Sequence, residues 1–281
     1  MQLIDGKVVS KHIREELKQQ VEQLDKSPIL SCIIVGNDPA SEIYVRNKVK
    51  ACEAVGIESI IYKLDYNSSQ EDLNKTIIEA IEVDHSDGVI VQRPLPNNLN
   101  TDLLEQYPER DVDGFTTRNI GAICNGSSGH IPATPLGILM LLNYYNINIK
   151  DKNVVVIGRS ETVGRPISIL LSSKPYNGNV TVLHSNTSKE NLNKYLNNAD
   201  IIIVAVGKKN FLSSKHLKPT AVVIDVGIHR EQDSKKLYGD VDPSVDYVAY
   251  KTPVPGGVGP MTVTALLQNT INAATKITLK N

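Results

Sequence analysis

Val154-Val155-Val156-Ile157-Gly158-Arg159-Ser160-Glu161-Thr162-Val163-Gly164-Arg165-Pro166 reads as a buried strand, a tight turn and the start of a helix. Four apolar residues in a row suit a strand covered on both faces, as in a parallel sheet. Gly158 and Gly164 permit the turn and a close approach of helix to strand. The helix that follows offers free N–H groups and a positive dipole end to a phosphate. The spacing departs from G-x-G-x-x-G, because Ser160 takes the second glycine's place and the last glycine comes one residue late. A dinucleotide-binding turn and a plain βα turn both fit this stretch taken alone.

The next strand candidate, Val180-Thr181-Val182-Leu183, runs into His184-Ser185-Asn186-Thr187 without a carboxylate. NAD-specific folds place an acid about 20 residues after the turn to hold the ribose 2′-hydroxyl. An acid there would repel a 2′-phosphate, whereas a hydroxyl such as Ser185 and the guanidinium of Arg159 or Arg165 would favour it. The cofactor reading is therefore NADP, with NAD possible. Either arginine alone reads equally well as a solvated surface charge.

Around this turn the chain alternates. Strand candidates at 153–157, 180–184, 201–206, 221–226 and 247–250 follow a helix candidate at 136–146. Upstream, a helical stripe over 7–24 precedes an apolar run at 29–35, a helix at 40–55, a strand at 57–64, a helix at 69–83 and a strand at 88–91. Alternation of this kind implies an α/β protein built from parallel βαβ units. We expect two lobes with a ligand cleft between them. One is an N-terminal βα catalytic domain (1–135 with 261–281), the other a Rossmann-like, parallel-sheet dinucleotide-binding domain (136–260).

Bulk properties exclude several classes. A net charge of −1 over 281 residues gives no electrostatic case for nucleic acid or an anionic membrane. No apolar run approaches the roughly 20 residues that span a bilayer. Cys32, Cys52 and Cys124 are scattered, and the six histidines show no ligand spacing, so neither a disulfide framework nor a metal site is expected. The N-terminus lacks an apolar presequence, which points to the cytoplasm.

Three further features carry chemistry. Tyr44 and Lys48 lie four apart within the 40–55 helix and share a face, as an unrelated surface pair also would. Gln92 follows the strand 88–91 at its carboxyl end, where open α/β sheets bind ligands, and Pro94 and Pro96 fix the exit path. Asp113, in Asp111-Val112-Asp113-Gly114-Phe115, caps a turn or pairs with an edge of two parallel N–H donors. Finally, Thr252-Pro-Val-Pro-Gly-Gly-Val-Gly-Pro-Met-Thr262 is a proline- and glycine-rich loop in front of a C-terminal helical stripe at Val263, Leu266, Leu267, Ile271, Ala274 and Ile277.

That loop resembles the C-terminal signature of the methylenetetrahydrofolate dehydrogenase/cyclohydrolase family. Ile4-Asp5-Gly6-Lys7, Val35–Ser41, Tyr44 with Lys48, Val91-Gln92 with Pro94-Leu95-Pro96, Asp111–Phe115, Thr134-Pro135, Gly158–Ser160, Gly164–Pro166 and Ile224–Ile228 look like further motifs of the family, in its order and across the whole chain. The resemblance implies oxidation of 5,10-methylenetetrahydrofolate with NADP, then hydrolysis of the methenyl product to 10-formyltetrahydrofolate. It implies Lys48 as the proton-handling group, Gln92 orienting it and Tyr44 beside the folate ring. Asp113 would hold the pterin, with Pro255, Gly256 and Gly257 lining the folate. Gly158, Arg159, Ser160, Gly164, Arg165, Ser185 and Ile228 would contact the cofactor. It also implies a homodimer that needs no metal. Arg93 and Lys251 stand where the family usually has apolar residues, and Ala133 where cysteine is common.

Overall fold

The computed structural model describes residues 1–96, 98–213, 216–230 and 236–276, and the chain divides into two units. One comprises residues 1–11 and 134–262, the other 12–133 and 263–281. Ile277 of the expected C-terminal stripe lies outside the described residues.

The first unit holds a six-stranded, all-parallel sheet. Its strands are β1 (Gln2–Leu3), β5 (Asn153–Ile157), β6 (Asn179–Leu183), β7 (Ile201–Val204), β8 (Val222–Asp225) and β11 (Tyr250–Lys251), in the spatial order β1-β11-β8-β7-β5-β6. β7 and β8 are buried at every position, as their unbroken apolar runs require. Val155, Ile157, Ile202, Val204 and Val223 form one core face with Leu212, Val241 and Val245. Helices α5 (Ala133–Tyr144), α6 (Gly164–Ser172) and α7 (Lys189–Asn198) supply the crossovers, and a short antiparallel pair, β9 (His229–Arg230) with β10 (Leu237–Tyr238), follows β8. β5 has β6 on one side and β7 on the other. Chain order reverses there, so the ligand crevice of this sheet lies outside the carboxyl ends of β5 and β7.

The second unit is built on a three-stranded parallel sheet, β3-β2-β4, from β3 (Glu58–Leu64), β2 (Ile29–Val35) and β4 (Gly88–Val91). Ile33, Val35, Val89 and Val91 pack against Leu73, Ile77 and Ala80 of the helical segment 70–83. That segment is α3 (Gln70–Ile78) closed by a π turn (Glu79–Val83). Helix α2 (Pro39–Val55) is capped at both ends. Asp38 accepts the Ser41 N–H at 2.8 Å, and Gly56 ends the helix at φ 86°. A further helix, α4 (Thr117–Asn125), was not foreseen.

Two boundaries differ from expectation. Residues 1–11 belong with the six-stranded sheet, not with 12–133, because Gln2 N donates to Ala249 O (2.7 Å) and Ile4 N to Lys251 O (2.8 Å). A two-residue strand carries no periodicity that a sequence reading can detect. The strand expected at 247–250 is Tyr250–Lys251 alone. Helix α1 (Gly6–Val21) and helix α8 (Val258–Thr275) each contribute residues to both units. Among the described residues no helix is long and apolar enough to cross a membrane.

Candidate functional site

In the unit of 12–133, Tyr44 and Lys48 are successive turns of one face of α2; Tyr44 is exposed and Lys48 half-buried. Lys48 Nζ donates to Gln92 Oε1 at 3.1 Å. Gln92 stands one residue past β4, where its own N–H donates to Ile33 O (2.8 Å) and so extends the β2–β4 ladder. Its Nε2 donates to Arg93 O at 2.6 Å. The amide is thereby oriented at both ends, with oxygen toward the ammonium, so the helix residue and the strand-end residue act as one pair.

The 111–116 loop separates two aspartates by task. Asp111 is buried and accepts from Gly114 N (3.0 Å), Thr116 N (2.7 Å) and Asn119 Nδ2 (3.1 Å), which spends its lone pairs on shaping the loop. Gly114, at φ 77°, makes the bend a side chain would resist. Asp113, half-buried, has no hydrogen-bond partner among the described residues and lines a cavity with Arg93, Glu105, Phe115 and Thr116. Burial pushes its carboxyl above the ordinary range; Lys48 opposes that, Asp111 adds to it and Arg93 opposes it. Arg93 is held 5.0 Å over the Phe115 ring, so a positive charge sits on the wall of the same cavity. Beneath, burial pushes the Cys32 thiol up to about 12, which leaves it protonated and inert as a nucleophile. An uncommitted carboxylate facing a cavity, beside a lysine fixed by an amide, suits a ligand with paired N–H donors and a proton-dependent step.

In the unit of 134–262, Gly158 follows β5 at φ 121°, and the space a side chain would need is filled by Ala205 O. The equivalent space at Gly164 is filled by the carbonyl of Gly158, so the turn and α6 lie in backbone contact. Ser160 has a role that the missing glycine left unassigned. Its Oγ accepts from Val163 N (3.2 Å) and Gly164 N (3.3 Å), closing the turn in front of α6 while its own proton stays available. Arg159 and Arg165 are exposed, and Arg165 lies 3.8 Å from Glu161 in a loose surface pair. Ser185 is exposed just past β6, and its hydrogen bond goes to Asn186 Oδ1 at 3.4 Å. The 183–187 turn contains no carboxylate. Ile228, 44% exposed, stands beyond β8 as an apolar rim residue. This cradle of bare backbone at a helix start fits a dinucleotide pyrophosphate.

Pro255, Gly256 and Gly257 share that unit with the cofactor candidates. Gly6 lies against the carbonyl of Gly257, leaving no room for a Cβ, and Asp5 caps α1 by accepting from Lys7 N at 2.8 Å. The N-terminal motif therefore braces the 252–257 loop. Sequence reading missed this brace, the separate task of Asp111 and the stacking of Arg93 on Phe115. It also quoted Asp225 only as part of a motif and passed over Asp240. The brace and the Asp225–Asp240 contacts join distant segments, whereas those of Asp111 are local; the detectable signal was a glycine next to or two residues from an aspartate, at Gly114, Gly227 and Gly239.

Comparison with known proteins finds two models of one family along the chain. Residues 4–113 match the family model for the tetrahydrofolate dehydrogenase/cyclohydrolase catalytic domain, and residues 132–278 match the NAD(P)-binding domain of the same family. The bifunctional protein FolD of Campylobacter hominis is 48% identical over 283 residues, covering 98% of this chain and 97% of its own. The crystal structure of the bifunctional FolD methylenetetrahydrofolate dehydrogenase/cyclohydrolase from Campylobacter jejuni superposes with a TM-score of 0.91 at 42% identity, covering 98% of this chain and 99% of that one. The Trypanosoma brucei enzyme, solved with NADP cofactor and an inhibitor, gives 0.91 at 33% identity over 98% and 97%.

Proposed function

Because the chain belongs to the tetrahydrofolate dehydrogenase/cyclohydrolase family, we propose that it oxidises 5,10-methylenetetrahydrofolate to the 5,10-methenyl cation with NADP, and then hydrolyses that cation to 10-formyltetrahydrofolate. The observation that carries the reading is the Lys48–Gln92 hydrogen bond beside an uncommitted Asp113. A dehydrogenase alone needs no such proton-handling pair.

Asp113 holds the pterin edge through two parallel N–H···O bonds, and Tyr44 offers its ring to the same folate. The bound dinucleotide, when present, would supply the hydride acceptor, held by Gly158, Arg159, Ser160, Gly164, Arg165, Ser185 and Ile228. In the hydrolytic step water adds to the electron-poor methenyl carbon. Lys48, aimed by Gln92, takes the proton that water releases and returns one to the ring nitrogen as its bond to carbon breaks. Hydroxyls and guanidinium groups without an acid at the end of β6 favour the 2′-phosphate of NADP over NAD.

The folate-binding lobe is assigned to residues 12–133 with 263–276 and the dinucleotide lobe to 1–11 with 134–262. The chain acts in the cytoplasm as a homodimer, a state supported by the free edge of β3, where Ile61 is 44% exposed. Spectrophotometric measurement of methenyl formation with NADP⁺ and with NAD⁺, followed by the decay of methenyl substrate without dinucleotide, tests both steps. Dehydrogenation without enzymatic hydrolysis would leave a single-activity enzyme, and sedimentation equilibrium tests the dimer.

A further inference from the structure

Two buried carboxylates occupy the carboxyl-end side of the six-stranded sheet, and the chemistry above does not use them. Asp225 ends β8 and is 3% exposed; Asp240 is fully buried. Asp225 Oδ1 accepts from Gly227 N (3.0 Å) and Asp240 N (2.9 Å), and its Oδ2 accepts from Val241 N (2.9 Å). Its own N–H donates to Thr252 Oγ1 at 2.8 Å, at the entrance to the 253–257 loop. Asp240 Oδ2 accepts from Val206 N (2.7 Å) and Gly207 N (3.1 Å). Its Oδ1 accepts from Lys208 N (2.9 Å) and lies 2.7 Å from His229 Nε2.

The pair is reciprocal. The space a Cβ of Gly239 would need is taken by the Asp225 carboxylate, and that of Gly227 by the Asp240 carboxylate. Each glycine gives up its side chain to the other strand end's acid. Burying two neighbouring carboxylates is costly, and apolar packing would hold a plain turn with less penalty. What the carboxylates accomplish is to collect backbone N–H groups from three separate segments into one rigid rim.

The place of that rim gives it meaning. Residues 205–208 follow β7, which flanks the point where strand order reverses, and Ala205 O fills the space above Gly158. Residues 226–229 follow β8 and carry Ile228. Both segments leave the carboxyl ends of neighbouring strands, β7 and β8, next to the point where strand order reverses. We propose that Asp240, with Asp225 behind it, is a positioning residue for the dinucleotide: a carboxylate clamp that sets the backbone of 206–208 and 227–228 against which the cofactor lies. The clamp rests on reading this unit as the dinucleotide site, and it acts through backbone, touching no reacting atom itself.

The experiment uses the full chain carrying Asp240→Asn or Asp225→Asn. Each substitution keeps the side chain's shape but turns an NH₂ toward N–H donors. Calorimetry with NADP⁺ is expected to show Kd weakened roughly tenfold or more, as a charge-assisted contact set is broken. KM for NADP⁺ should rise with it, while methenyl hydrolysis measured without dinucleotide stays within about twofold. Unchanged Kd and KM in a folded variant overturn the clamp, as does a parallel fall of both activities, which marks a purely structural role. Amide exchange in the wild type keeps the proposal falsifiable if the variants fail to fold. The N–H groups of 206–208, 227, 240 and 241 must be protected before cofactor is added, and rapid exchange overturns it. A wild type that binds NADP⁺ yet shows no folate activity refutes the proposed reaction and leaves the clamp standing on its calorimetric arm; one that binds no dinucleotide refutes both.

Discussion

Replacing Asp113 by Ala removes a carboxylate whose burial costs the free protein something and which, in the reaction proposed above, is there for the folate. In the structure it has no hydrogen-bond partner among the described residues, burial pushes its carboxyl up, and Asp111 repels it. Stability should therefore hold or rise slightly in Asp113→Ala. Ligand binding should not hold: a charge-assisted contact to a folate edge is worth about 1.5–3 kcal/mol, so folate affinity falls by roughly one to two decades at about 1.4 kcal/mol per decade. Its neighbour supplies the control. Asp111 accepts two hydrogen bonds from the same loop and a third from Asn119 of α4, so Asp111→Ala leaves buried donors unpaired and destabilises by roughly 1–3 kcal/mol for each group that finds no water. Calorimetric titration of folate and of NADP⁺, beside thermal melts, reads both. Equal loss of the two ligands in Asp113→Ala, or a melting point lowered as far as in Asp111→Ala, would refute the division of labour.

Lys48→Met should lower methenyl hydrolysis by about 10²-fold or more while the protein stays folded, as steady-state rates and melts will show. Ser185→Asp should shift the ratio of kcat/KM from NADP⁺ toward NAD⁺, because a carboxylate beside a 2′-phosphate costs several kcal/mol when partly desolvated. Burial pushes the Asp225 carboxyl up to about 6, so the folded state binds more protons than the unfolded chain between about pH 4 and pH 6. Stability from this group thus falls as pH rises through that window, by on the order of 3 kcal/mol, and urea melts of wild type against Asp225→Asn should show the variant gaining relative stability from pH 4 to 7. Arg93→Leu should change stability by less than about 1 kcal/mol, the scale of an exposed cation–π contact, and alter folate KM without touching that for NADP⁺.

What the sequence made legible was whatever burial writes into local pattern. The runs at 29–35 and 153–157 could only be strands covered on both faces, and the capped, four-spaced Tyr44 and Lys48 could only share a helix face. Gln92 was legible because a strand end in a parallel sheet is a place, not merely a residue. Much of the rest was hidden by distance along the chain. β1 is two residues whose partner lies almost 250 positions away, and nothing around Gln2 announces it. The loop-shaping of Asp111, Asp225 and Asp240 depends on which N–H groups the fold delivers to them. A carboxylate left without partners and one that holds backbone look alike in a string of letters; only the count of satisfied lone pairs tells Asp113 from Asp111.

The same count explains two of the three departures from the family pattern. Lys251 ends β11, and its ammonium donates to Val245 O (2.8 Å) and Asp242 O (3.5 Å), carbonyls that an apolar residue would leave to solvent. Burial lowers its pKa, and the nearby carboxylates of Asp225, Asp242 and Asp246 oppose that shift. Its donors are thus committed to structure. Arg93 is the opposite case. Its guanidinium rests on the Phe115 ring and keeps its donors turned to a cavity that already contains Asp113, while its carbonyl orients Gln92. A fixed cation there partly opposes the effect of burial on Asp113 without forming a hydrogen bond to it, so the carboxyl group keeps no committed partner. Lys251 is therefore tied into its own unit's backbone, whereas Arg93 lines the cavity that holds Asp113.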